Sequence, residues 1–233
     1  MAKSGIEKVL EVAIALGLSA AAITAIKRLV DRYREERSGS VSGFRGLGAS
    51  EHDSPRGRMV NVRTLDERIA LLNEVAMVGR ADPKVIMLTR KAVSQRCGDS
   101  WCIAERDHHG EVRAVFDEAR RSVRYTADPI DVDTFATPGR ALEGMAEDCD
   151  GQAALLAAML GSIGYPTKWR VIQTNGAAKR GHDWDHIYLL VGTPPDSPTE
   201  WHALDLSEPH EAGWEVPMTE VARVRDFPVP LRG

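Results

Sequence analysis

Cys149 stands between Asp148 and Asp150 in the run EDCDGQAALLAAML, residues 147–160, where a polar turn becomes almost unbroken apolar sequence. A purely structural cysteine is expected on the apolar side of an element, among apolar neighbours. At the first turn of a buried helix a thiol instead meets unpaired backbone amides and the positive end of the helix dipole, which depress its pKa. Those amides, including that of Cys149 itself, also suit the negative oxygen of an attacked carbonyl. The position predicts a thiolate nucleophile with a depressed pKa.

A thiolate nucleophile needs a base and a group that orients the base. His186 opens the apolar run in DWDHIYLLV, and Asp205 lies in WHALDL, so adjacent antiparallel strands would bring the two side chains together. In that arrangement Asp205 accepts the Nδ1 proton of His186 and Nε2 faces Cys149. His182, His202 and His210 are the competing histidines. His182 falls in the loop before the strand, and His202, three residues from Asp205, takes the opposite face of a regular strand.

Other chemistry is weaker. The segment CGDSWCIAERDHHGE carries Cys97, Cys102 and the pair His108 and His109, but its spacing is not a common zinc pattern, and adjacent histidines often sit in a solvated loop. Asp128, Asp131 and Asp133 in DPIDVD lack the glycine and terminal glutamate of an EF-hand loop. A metal held by Cys149 and its aspartates would mix hard and soft ligands on one turn. No metal and no cofactor is assigned.

The elements that must position these residues follow from the pattern. Thr64 and Glu67 in TLDE form a capping box, after which Leu65, Ile69, Leu72 and Val75 recur at helical spacing until Gly79 ends the segment. Asp82 and Pro83 open a second helix, and residues 111–123 read as a third, with Val112, Val115, Phe116 and Ala119 on one side. Residues 153–163 are apolar nearly all round, which marks a helix buried on most sides, ended by Gly161, Gly164 and Pro166. Three strand-like runs follow, TKWRVIQ, HIYLLVG and WHALDL. A helix packed on an antiparallel sheet is an α+β arrangement. The last residues read as an irregular wrap with room for one short strand.

With 30 Lys and Arg against 34 Asp and Glu in 233 residues, the chain has a net charge of −4 and no basic field to hold nucleic acid. Three cysteines are too few and too uneven for a disulfide scaffold, which suits a reducing compartment; a Cys97–Cys102 bridge stays open, and the odd count leaves a free thiol. Near the N-terminus an apolar run over residues 12–26 is flanked by Lys8, Lys27 and Arg28. It reads as an assembly helix, with Ala13, Gly17 and Ala21 every four positions, as a short membrane anchor with contact through residues 5–30, or as a signal segment without a convincing cleavage site. The Gly-, Ser- and Arg-rich residues 38–58 read as a flexible linker.

The runs AEDCDGQAALLAAMLGSIGYPTKWRVI, DHIYLLV and WHALDLSEP together resemble the transglutaminase-like superfamily over residues 116–214. The resemblance implies a papain-like core, with Cys149 as nucleophile, His186 as general base and acid, and Asp205 as orienter. The upstream RVRYTADP and its preceding helices look most like transglutaminase-like proteins of tailed phages. That likeness implies a virion or host-cytoplasm location, with other virion proteins or the chain itself as partners. Such relatives often carry a glycine before the Asp-Cys pair and a second aspartate after it, whereas here Glu147 precedes and Gly151 follows Asp150. Tyr125, Trp101 and Gln152 remain alternatives for a side-chain donor to the oxyanion.

The expected organisation is an N-terminal helix over residues 1–37, a linker over 38–58, a helical subdomain over 59–104, a transglutaminase-like core over 105–214 and a C-terminal tail over 215–233. The expected reaction is thiol-dependent acyl transfer on a protein or peptide, as a cysteine peptidase or amidase if water takes the acyl group and as a transglutaminase if an amine does. The competing reading is a structural virion or binding module that retains the fold.

Overall fold

The computed structural model describes residues 64–126 and 135–231. The N-terminal helix, the linker and the Asp128, Asp131 and Asp133 loop therefore lie outside the described residues. No helix among the described residues is long and apolar enough to cross a membrane.

The predicted capping box opens the first described helix, α1 (Leu65–Arg80): the Glu67 N–H donates to Thr64 Oγ1, and the Thr64 N–H donates to a Glu67 carboxylate oxygen. Helix α2 (Pro83–Val93) begins at the Asp82 cap with proline in its first turn, as its sequence predicts. Gly79 does not terminate α1, which runs on to Arg80. Its role is close approach instead: a Cβ there would sit 2.3 Å from Pro138 Cγ. Gly79→Ala must therefore push apart α1 and the segment carrying Pro138, and we expect a loss of about 1–3 kcal/mol, read as a lower denaturant midpoint. An unchanged midpoint would refute the tight approach.

A short hairpin, β1 (Arg96–Cys97) with β2 (Ser100–Trp101), is closed by a disulfide between Cys97 and Cys102, so the bridge the sequence leaves open is formed. Helix α3 (His108–Ser122) follows, three residues longer at its start than its apolar pattern suggests because Asp107 caps it by accepting from the Gly110 N–H. Strand β3 (Arg124–Tyr125) pairs in parallel with β4 (Ala146–Glu147), and α4 (Pro138–Gly144) lies between them in the chain.

The central element is α5 (Cys149–Ser162), in which every residue from Asp150 to Leu160 is buried. An apolar circumference must be covered on all sides. Its residues share one cluster with Leu72 and Val75 of α1, Val85 of α2, Val115 and Phe116 of α3, and Trp169, Val171, Ile187, Leu189 and Val191 of the sheet. That sheet has the order β7-β6-β5-β8 and is antiparallel throughout, built from β5 (Thr167–Thr174), β6 (His186–Thr193), β7 (Glu200–Leu204) and β8 (Val221–Pro228). A short helix, α6 (Asn175–Arg180), joins β5 to β6. The other sheet face buries Ile172, Tyr188, Leu190 and Ala203 beneath Val216 and Val221. Both faces of β6 are therefore covered, which explains its continuous apolar run. The C-terminal segment thus supplies an eight-residue edge strand as well as a wrap.

Candidate active site

Cys149 is the first residue of α5, and Asp148 caps the helix by accepting from the Gly151 N–H at 3.0 Å. The cap fixes the backbone on either side of the thiol. His186 is the first residue of β6, and Asp205 follows directly on the end of β7. The β6–β7 register places Leu189 opposite Leu204, so Asp205 meets His186 just beyond the ladder, where β7 has already ended.

His186 and Asp205 are hydrogen-bonded through Nε2 and Oδ2 at 2.6 Å, with both side chains largely buried. This reverses the ring orientation expected from the sequence. Nε2 faces the carboxylate, which leaves Nδ1 as the ring nitrogen outside that bond. The strand pattern sets which residues meet and is silent on the side-chain torsions that turn the ring. Asp205 is itself held by Ser207, whose N–H and hydroxyl both donate to Oδ1, at 3.0 and 2.7 Å. Burial works against charge on His186, yet the hydrogen bond and charge of Asp205, helped by Glu208 and Asp185, outweigh it and raise the imidazole pKa. Burial likewise opposes ionisation of Asp205, but His186 and the two Ser207 bonds prevail and lower its pKa. The pair stabilises the fold fully only where aspartate is ionised and histidine protonated. Its contribution is lost as pH rises through the raised His186 pKa, or falls through the lowered Asp205 pKa.

The thiol departs from the sequence expectation. Burial and the nearby Asp150 and Asp148 carboxylates push the Cys149 pKa well up, and the Ile187 backbone N–H that donates to the sulfur offsets only part of this. A helix terminus carries about half a unit of positive charge, too little to cancel two whole negative charges and the loss of water. The Cys149 thiol donates to Asp150 Oδ1 at 3.5 Å. Cys149 therefore rests as a neutral thiol. We expect iodoacetamide to label Cys149 slowly at mildly acidic pH and still slowly at about pH 8.5, where an ordinary thiol is half ionised. Rapid labelling below pH 7 would contradict this. Cys97 and Cys102, joined in their disulfide, offer no competing thiol.

The cleft holding Cys149 and His186 has a volume of about 240 Å³ and is also lined by Thr64, Arg68, Trp184 and Ile187. Arg68 and Asp150 escape the sequence reading as a pair. Arg68 Nη1 donates to Asp150 Oδ2 at 2.7 Å, tying α1 to the residue after Cys149. Among the three alternatives for an oxyanion donor, Trp101 and Tyr125 are 56% and 51% exposed. Gln152 is 2% exposed and lines a small space behind the sulfur with Cys149, Leu204 and Asp205. Its Oε1 is buried without a hydrogen-bond partner. His202 bonds to Thr193 Oγ1 instead of reaching Asp205, and His210 stacks on Trp214. Asp148, Cys149 and Asp150 also offer three ligand atoms within 4.8 Å of one another, but their donors are already engaged in the cap and in the bonds to Arg68 and the thiol.

Two solved structures align with the chain at low identity. A crystal structure of a protein from Parabacteroides distasonis, described as a candidate protease, aligns with TM-score 0.39 and 12% identity, covering 60% of this chain and 30% of that one. A crystal structure described as that of a TGase aligns with TM-score 0.40 and 13% identity, covering 82% of this chain and 40% of that one. The chain thus spans less than half the length of either. No curated protein matches the sequence at a significant level. Residues 100–206, which include Cys149, His186 and Asp205, match the family model of the Transglutaminase-like superfamily, and the described residues form an α+β fold.

Proposed function

We propose that the protein catalyses acyl transfer at amide bonds through Cys149, His186 and Asp205. The observation that carries this reading is the 2.6 Å His186–Asp205 pair, whose His186 lines the same cleft as Cys149 at the start of α5. His186 Nδ1 takes the thiol proton as sulfur attacks the carbonyl carbon. The Cys149 N–H, at a helix start with no partner within the helix, faces the developing oxyanion. Collapse breaks the C–N bond, the proton on His186 passes to the departing amine, and a thioester remains on Cys149. Water or a second amine, deprotonated by His186, then releases the acyl group and restores the thiol.

The test offers the full chain a set of glutamine-containing peptides with and without a primary amine, and follows ammonia release, peptide cleavage and amine incorporation by mass spectrometry. Turnover that disappears in Cys149→Ala, with an acyl adduct on Cys149 in the wild type, is the expected result. Incorporation of the amine identifies a transglutaminase, and cleavage or deamidation identifies a hydrolase. Turnover that survives in Cys149→Ala would overturn the proposal.

A further inference from the structure

We propose that His109, Glu200 and His202 form a binding site for a divalent transition-metal ion, with zinc the best match. The residues come from two distant parts of the chain. His109 lies in the first turn of α3, while Glu200 and His202 are two apart on β7 and so share a face of the sheet. Glu200 Oε2 is 3.5 Å from His202 Nε2 and 3.9 Å from His109 Nε2. One ligand atom from each residue lies within 4.8 Å of the others, and the imidazole rings meet edge to face with centroids 4.8 Å apart.

Ligand atoms about 2.1 Å from a tetrahedral ion stand about 3.4 Å from one another. Two of the three separations are within about half an ångström of that edge, and the third closes with side-chain rotations of about 1 Å. His109 and Glu200 have freedom for this, with side chains 66% and 62% exposed. His202, at 27%, is held in place by Thr193, whose Oγ1 is 2.9 Å from Nε2. An incoming ion replaces that bond. Thr193 lies directly opposite Glu200 in the β6–β7 ladder, so its hydroxyl is placed to turn to the carboxylate.

Two imidazoles and one carboxylate, with no thiolate, are the donors of a borderline ion. Magnesium and calcium prefer all-oxygen shells. The fourth position of the tetrahedron is left for water. The site is also remote from the proposed chemistry. Thr193 and Glu200 mark the far end of β6 from His186, about 24 Å away at about 3.4 Å per residue. The ion would act as a cross-link between the start of α3 and the β6–β7 hairpin, and the inference stands whether or not the acyl-transfer reading is correct.

The test uses untagged full-length protein carrying Cys149→Ala, so that the active-site thiol takes no metal. After removal of metals by a chelator, Zn²⁺ is titrated calorimetrically, and metal content and the thermal midpoint are measured. The expected result is one ion per chain and a midpoint that rises with Zn²⁺ concentration. His109→Ala and Glu200→Gln should each weaken binding by at least about 100-fold, while His182→Ala leaves it unchanged. Absence of Zn²⁺ binding would overturn the proposal, as would binding of unaltered affinity in both His109→Ala and Glu200→Gln.

Discussion

Asp205→Asn is expected to lower turnover by about 10³–10⁴-fold while the fold and the Cys149 thiol remain. Two fixed neighbours determine the outcome. Ser207 donates twice to Oδ1, so that position must stay an oxygen after substitution. The amide nitrogen of the substituted side chain then takes the place of Oδ2, facing His186 Nε2. Two donors cannot share that 2.6 Å contact, so Nε2 must become an acceptor and the ring proton moves to Nδ1. Nδ1 is the nitrogen that should receive the thiol proton, and a neutral ring already protonated there cannot do so. Total thiol titration under denaturing conditions, circular dichroism and turnover of the same preparation check the prediction. Turnover within a factor of about ten of the wild type would mean that Asp205 does not set the tautomer.

Arg68→Ala should cost about 3 kcal/mol, although most of the Arg68 side chain lies outside the core proper. Asp150 is almost completely buried, and Arg68 meets it at 2.7 Å, so removal of the guanidinium takes away the positive charge that offsets the buried carboxylate. The partial exposure of Arg68 places the cost at the lower end of the range for a broken buried pair. For a domain of this size the thermal midpoint should fall by roughly 6–12 °C. Arg68→Met combined with Asp150→Asn removes both charges and should recover much of the loss. A denaturant series on the single and double variants measures the coupling directly. A single-variant loss below about 1 kcal/mol would show that water reaches the carboxylate. The double variant also removes the carboxylate that accepts the thiol hydrogen, so alkylation of Cys149 should proceed at lower pH than in the wild type.

Much of the site is legible locally. Cys149 between two aspartates ahead of a fully apolar helix, His186 at the mouth of an apolar strand, and Asp205 after WHAL are patterns that a single segment carries. The caps at Thr64 and Asp82 are equally local, because a cap is a contact between residues two or three apart. What escapes depends on distant pairing. Arg68 and Asp150 are 82 residues apart and meet only because α1 lies on α5. The thiol pKa departs from expectation for a related reason. The helix terminus is visible in the sequence, whereas burial of the sulfur comes only with the packed sheet. Strand β8 is hard to see because Arg223, Arg225 and Asp226 interrupt any apolar alternation, as suits an edge strand with one neighbour. Its charges are used across the sheet, since Arg170 binds Asp226 and Arg223 binds Gln173.

The burial of α5 from Asp150 to Leu160, directly after Cys149, ties the candidate site to the centre of the core. Catalytic groups borne on loops can fray or shift while the core persists, so such enzymes lose activity before they melt. Here Cys149, the proposed nucleophile, is the first residue of the element around which the apolar cluster is assembled. Local opening at the thiol would unseat the scaffold itself. Heat should therefore silence the site and collapse the fold in a single event, and a substitution that loosens the interior should be felt at Cys149 as a loss of catalytic competence even when it lies well away from the cleft.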